Sequence, residues 1–245
     1  MKEVEIDSKG IHYKILNFMI EDAIEDGTKK VVLKNVNGQR FILDGVNDDV
    51  ELEIYGTAGD DLAAFMNGPK VVVHGNVQDG VGNTMNSGTV IIHGDARDIV
   101  GHSMRGGRIF VKGDVGYRVG IHMKQYHDNF PMVIAGGNAM DFLGEYMAGG
   151  VVLILNLKGE EISSDWIGTG IHGGAVYIRG DVDENRLGIG AKIADLEDED
   201  HNLIKELCTK FSSYFGVDVD KLLKGKFVKI VPISHRPYAK MYTDD

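Results

Sequence analysis

Short apolar runs of four or five residues recur through the middle of the chain, and a small residue closes each one. The closing residues are Gly56, Gly75, Gly94, Gly113, Gly137, Asn156 and Gly180, spaced by 19, 19, 19, 24, 19 and 24 residues. A second series, Ala63, Gly82, Gly101, Gly120, Gly144, Gly168 and Gly188, is spaced by 19, 19, 19, 24, 24 and 20. Its flanks repeat as Val81-Gly82-Asn83-Thr84-Met85, Val100-Gly101-His102-Ser103-Met104, Val119-Gly120-Ile121-His122-Met123 and Leu143-Gly144-Glu145-Tyr146-Met147. A 19-residue unit is too short for a helical hairpin. Runs such as Val71-Val72-Val73 and Val90-Ile91-Ile92 are β-branched and read as strands. One such unit cannot bury its own apolar face, but stacked units can, because each strand pairs with the coil above and below. The pattern predicts a mainly β fold, a right-handed parallel β-helix of about seven coils, with α-helices flanking it at both ends.

Strand alternation assigns the faces. Two and four residues before each closing residue lie Leu52/Ile54, Val71/Val73, Val90/Ile92, Ile109/Val111, Val133/Ala135, Val152/Ile154 and Val176/Ile178, a core ladder. The row one residue before, Tyr55, His74, His93, Lys112, Gly136, Leu155 and Arg179, is mostly polar and expected outside. The row three residues before also points outward, yet it reads Glu53, Val72, Ile91, Phe110, Ile134, Leu153 and Tyr177. A continuous apolar stripe of that length calls for a cover: one of the chain's amphipathic helices, a partner subunit or a second copy.

Residues 50–190 are assigned to the coils, 1–49 to an N-terminal helix/strand cap and 191–245 to a C-terminal helix and tail, all within one domain. Helices are expected over Ile11–Asp26 and His201–Tyr214, from apolar positions at helical spacing. Lys30–Lys34 and Arg40–Leu43 read as strands joined by a turn at Asn37-Gly38, and Phe227–Ile233 as a final strand before a polar tail. The two longer coils place extra residues at Lys124–Phe130 and Lys158–Trp166, expected to bulge outward as polar loops, at least one of which touches a partner or a neighbouring copy.

Composition narrows the function. Glycine reaches 33 residues against 4 prolines, which suits many tight turns in an ordered array. The net charge of −11, without a basic cluster, argues against nucleic acid or an anionic membrane as partner. No apolar run approaches the length of a membrane span, and the charged opening Met1-Lys2-Glu3 does not read as a signal peptide, so a cytoplasmic address fits. One cysteine, Cys208, allows neither an internal disulfide nor an all-cysteine cluster site, and its place on a helical apolar stripe reads as a buried hydrophobe.

Several motifs invite sharper readings. Gly168-Thr169-Gly170-Ile171-His172-Gly173 matches a dinucleotide fingerprint, but a strand of the repeat follows it where a helix is required, so coil corners are the better reading. His74 and His93 share a register one coil apart, so their rings are expected to stack about 5 Å apart. A metal pair would need a carboxylate or cysteine in register, and solvated histidines are the default there and at His102 and His122. The acidic run Asp195–Asp200 reads as a solvated face. No catalytic, cofactor-binding or metal-ligating residue is assigned.

Coils built on Val-Gly-x-x-Met with paired glycines, as at Gly106-Gly107 and Gly149-Gly150, resemble the GXGXG domain, the C-terminal β-helix of the glutamate synthase large subunit. Ile11-His12-Tyr13, Lys34-Asn35-Val36-Asn37-Gly38-Gln39-Arg40, Asp60-Asp61-Leu62-Ala63-Ala64-Phe65-Met66, Lys229-Ile230-Val231-Pro232 and Arg236-Pro237-Tyr238 extend the resemblance over essentially the whole chain. The resemblance implies a non-catalytic structural subunit of glutamate synthase, which makes glutamate from glutamine and 2-oxoglutarate. Its partners would be separate glutaminase and FMN synthase polypeptides, with FMN and the iron–sulfur cluster held there and no cofactor here. A chain that opens Met1-Lys2 is not expected to supply the N-terminal cysteine of such a glutaminase. A second copy of the chain, in a homo-oligomer, is a further candidate partner; a chain like the β-helix subunit of formylmethanofuran dehydrogenase and a general assembly scaffold are the alternatives. A carbohydrate-active β-helix would need acids clustered in register on one outer face, and the outer rows hold none.

Overall fold

The computed structural model describes residues 2–234; the Arg236-Pro237-Tyr238 motif and the tail lie outside the described residues. Nine parallel strands stack rung on rung: β1 (Glu3–Asp7), β2 (Lys30–Asn37), β3 (Glu51–Thr57), β4 (Asn67–His74), β5 (Ser87–Ile92), β6 (Arg108–Val111), β7 (Met132–Ala135), β8 (Ala148–Ile154) and β9 (Gly173–Arg179). Two further strands, β10 (Ala191–Ala194) and β11 (Phe227–Pro232), finish the sheet antiparallel, with β11 on β9 and β10 on β11. The result is a β-solenoid of about seven turns. The ladder thus begins two rungs below Glu51, at β1 and β2.

The register is the one the repeat requires. Leu52, Val71, Val90, Ile109, Val133, Val152 and Val176 face one another in turn, and each is fully buried. The outward apolar row keeps the same register from Glu53 to Tyr177. From Phe110 onward this row is dry because α2 (Asp198–Phe215) lies over it, bringing Ile204, Leu207, Cys208 and Phe211 against Phe110, Ile134, Leu153 and Tyr177. The four α2 residues recur at i, i+3, i+4 and i+7, the spacing of one helical face. A short helix, α3 (Val219–Leu223), adds Leu222 to this second core. Each large side chain so buried contributes roughly 1.5–3 kcal/mol.

One buried carboxylate fixes α2 in place. Asp200 accepts from the Tyr177 hydroxyl at 2.5 Å, from Lys229 Nζ at 2.7 Å and from the Glu197 amide at 2.7 Å. Asp200 therefore joins the sheet, β11 and the capping box of α2. Burial pushes its carboxyl up, but the Glu197 amide, Lys229 and Tyr177 outweigh burial and hold it below the usual carboxylate range. The reading of Asp195–Asp200 as a solvated face is thus corrected at its last residue, which is buried. The cover also corrects the row expected outside. Leu155 and Gly136 are buried beneath α2, where a side chain at 136 would collide with the Phe211 ring.

At the N-terminal end, α1 (Tyr13–Glu25) packs Leu16 and Ile20 into the solenoid core. Arg40–Leu43 is a turn rather than a strand. Phe41 and Leu43 there have φ of 60° and 58°, left-handed values that no strand contains. Of the two excursions, residues 124–129 are exposed and project as expected. The second does not bulge throughout. Ile162 is in the core, Ser164 is buried, and Ser163 and Asp165 donate backbone N–H groups to Asn138 and Asp141 of the coil below.

Two outcomes follow from this packing. Phe110→Asp places an unpaired charge beneath α2 and is expected to cost about 3–5 kcal/mol in urea unfolding, with loss of helical signal; full stability in the variant would contradict the cover. Asp200 has a folded-state pKa below its unfolded value. Its contribution is present above the unfolded value of about 4 and is lost as pH falls through the lower folded one. Asp200→Asn is expected to flatten that part of the acid limb of a stability–pH curve, and an unchanged acid limb would contradict the clamp.

Candidate functional site

The return side of each coil turns through an unusual backbone. In Arg118-Val119-Gly120-Ile121-His122, the first, third and fifth residues have φ of 59°, 73° and 54°. The same alternation occurs at Asp61/Ala63/Phe65, Gly80/Gly82/Thr84, Ile99/Gly101/Ser103, Phe142/Gly144/Tyr146 and Trp166/Gly168/Gly170. A non-glycine residue in this region costs roughly 1 kcal/mol. The return is axial hydrogen bonding. The Arg118 and His122 N–H groups donate to Asp141 O and Glu145 O of the next coil at 3.0 Å, and the Gly120 N–H donates to Val100 O of the previous coil at 2.8 Å. The middle residue is small because it faces the strand ladder: a Cβ at Gly101 would lie 2.8 Å from Val133 Cγ2.

The outer left-handed positions aim their side chains outward, where they stack from coil to coil. Phe142 and Trp166 stack at 5.0 Å, and the Arg118 guanidinium lies 4.7 Å above Phe142. Arg118 Nη1 also meets Glu145 Oε2 at 2.5 Å, on a carboxylate that is itself buried. Beside them His122 stacks on Tyr146 at 5.3 Å, with His102 at 6.3 Å from His122. The histidines at these corners are thus parts of a ring stack rather than solvated singly. Burial first, then His122, lowers the His102 pKa. Trp166 and Tyr146 remain 52% and 44% exposed, so this ridge presents Trp, Tyr and Arg together on a rigid scaffold. That composition suits the centre of a protein interface.

Two polar ladders run along the remaining corners. Asn76, Asp95, Asp114 and Asn138 each accept, through the side-chain oxygen, a backbone N–H of the following coil at 2.7–3.3 Å. Asp60, Asp79, Asp98 and Asp141 do the same. The closing glycines make room for the first ladder: a Cβ at Gly94, Gly113 or Gly137 would collide with the ladder oxygen below it. Through these bonds the ladder side chains hold successive coils together.

His74 and His93 stack at 5.2 Å, as their shared register requires, and the stack continues to Tyr55 below and to the Phe215 edge of α2 above. A carboxylate does reach the pair. Glu53 Oε2 lies 3.8 Å from His74 Nε2, on a diagonal rather than in register. Burial pushes Glu53 up, but Lys30, Tyr55 and His74 hold it below its ordinary value. His93 is lowered by burial, then by His74 and Lys112. Among the described residues no group of three or more His, Cys, Asp or Glu is placed to hold a metal. Gly168–Gly173 forms a left-handed corner that runs directly into β9. Cys208 is buried in the second core, and burial pushes its thiol up to about 11. Among the described residues no helix is long and apolar enough to cross a membrane.

The left-handed ridge carries the most exposed aromatic chemistry on the coils, and reading the sequence did not locate it. The period-19 signal marked its middle glycines. Bulky residues such as Phe142 and Trp166 gave no hint of a backbone they rarely adopt.

Comparison with known proteins agrees with this architecture. A protein of Methanocaldococcus jannaschii, described as uncharacterized, is 52% identical over 256 aligned residues, covering 100% of this chain and 98% of the relative. The GXGXG motif family matches residues 27–233, which takes in β2 to β11 together with the ridge and α2. With its alternating left-handed corners, its stacked coils and this match, the chain belongs to the GXGXG motif family, the domain found in the glutamate synthase large subunit.

Proposed function

We propose that the chain is a non-catalytic structural subunit of a glutamate synthase, placed between a glutaminase polypeptide and an FMN-carrying synthase polypeptide. The observation that carries this reading is the extent of the family match, residues 27–233, which spans nearly the whole solenoid and its covering helix. The corner chemistry supports it. The Asp and Asn side chains of the two corner ladders accept backbone N–H groups of neighbouring coils, and the exposed aromatic ridge has the composition of a docking surface. FMN and the iron–sulfur cluster belong to the partner polypeptides in this reading, and the solenoid contributes position. Its coils are rigid in the sense that matters for assembly, because every inner coil is bonded to two neighbours.

Reconstitution tests the proposal. Mixed with the glutaminase and synthase polypeptides, the chain is expected to co-elute with them and to raise glutamine-dependent glutamate formation, while the ammonia-dependent rate of the synthase stays unchanged. Trp166→Ala, an exposed position, is expected to weaken co-elution about tenfold without unfolding the chain. A chain that binds neither polypeptide and leaves the glutamine-dependent rate unchanged would sink the proposal.

A further inference from the structure

We propose that the N-terminal end of the solenoid, the free edge of β1 with the outer face of α1, seats an extended basic strand from a partner polypeptide. The identity of that polypeptide, glutaminase or synthase, rests on the assembly proposed above; the site itself does not.

Three observations converge on this end. The first is α1, which is apolar on two faces. Leu16 and Ile20 enter the core, while Ile15, Phe18 and Met19 are 58%, 67% and 37% exposed on the other side. They stand at i, i+3 and i+4 and so form one stripe. The end cap of a solenoid needs a polar outer face to stay in solution. The second is β1, which among the described residues has a strand partner on one side only, so its other edge is an open template. Between the edge and the helix lies a cleft of about 500 Å³, lined by Val4, Ile6, Phe18, Met19 and Asp22 among others.

The third is charge, and it selects the occupant. The register that runs up from Glu3 alternates in sign: Glu3, Lys30, Glu51, Lys70. Lys70 and Glu51 are an ion pair at 3.3 Å. The alternation stops at Glu3 with its lower side open. A strand bearing Lys or Arg opposite Glu3, and apolar residues opposite Val4 and Ile6, continues both the charge series and the core. A second copy does not fit. Edge to edge it would set Glu3, Glu5 and Asp7 against the same carboxylates. The far end of the sheet, at β10, is followed directly by the acidic run from Asp195. The chain already contains a strand of the required kind. Lys30-Val31-Val32-Leu33-Lys34 is β2, which occupies this position on the upper side of β1.

The test uses the full chain with a C-terminal tag, wild type beside Phe18→Asp and the pair Glu3→Lys with Glu5→Lys. All three positions are exposed, so folding is expected to be retained and is checked by thermal unfolding. Capture of the glutaminase and synthase polypeptides is expected to fall about tenfold or more for one of them in both variants. Equal capture by wild type and both variants overturns the proposal. If wild type captures neither polypeptide, the glutamate synthase reading fails and a labelled peptide with the sequence Lys30–Asn37 decides the site. Binding that disappears in Glu3→Lys with Glu5→Lys, and when both peptide lysines are made glutamate, sustains the basic-strand site. Absence of binding to wild type overturns it. A wild-type dimer in sedimentation that Phe18→Asp dissociates would also overturn it, by showing that a second copy covers this face.

Discussion

The fold rests on hydrogen bonding along the solenoid axis at positions where the chain must also turn. A parallel strand delivers its N–H and C=O groups along the axis without effort, but a corner does not. In this chain the corner is built from left-handed residues alternating with ordinary ones, so that successive N–H groups point to the next coil, the previous coil and the next again. Each left-handed residue outside glycine is unfavourable by roughly 1 kcal/mol. Each satisfied axial bond avoids leaving a buried amide unpaired, which costs a comparable amount or more. The Asp and Asn ladders apply the same logic with side-chain oxygens at the other two corners. Coil spacing, strand register and side-chain stacking all follow from this axial bonding.

Stacking in register has a consequence on the outside as well. Any residue type repeated at one position becomes a stripe, and each stripe must be wet, covered or used. The stripe from Phe110 to Tyr177 is covered by α2 and locked by Asp200. The Tyr55–His74–His93 stack ends against Phe215, at the end of the same helix. The Arg118–Phe142–Trp166 ridge is left open. One helix therefore gives the solenoid a closed side, while the corner ridge and the outer face of α1 remain exposed apolar surfaces. A scaffold with two such surfaces on one rigid ladder has the form needed to hold two polypeptides in fixed relation.

Much of this was legible in the sequence, because a repeat makes each position its own control. The period alone places Leu52, Val71, Val90 and Ile109 in one buried row and Val72, Ile91 and Phe110 in another, and the observed register agrees residue by residue. The spacing of His74 and His93 likewise gave their stacking distance. What escaped lies where local preference and tertiary demand conflict. Arg40–Leu43 is β-like in composition yet forms a left-handed corner, because Phe41 must donate to Asp60 of the next coil. Asp200 sits in an acidic run that looks solvated, and only the approach of Tyr177 and Lys229 shows that it is a clamp. Leu155 and Gly136 looked outward because their cover comes from a helix far along the chain. The Asp and Asn ladders also escaped, because they lie at the corners, outside the strand rows in which acids in register were sought.

The account depends on the corners being bonded structure rather than loops, and amide hydrogen exchange measures this directly. The N–H groups of Ile99, Gly101, Arg118, Gly120 and Phe142 donate to neighbouring coils. They are expected to exchange as slowly as strand amides such as those of Val90 and Ile109, opening only with global unfolding. Fast exchange at the corners beside protected strands would show that the coils are held by the sheet alone, and would contradict the account.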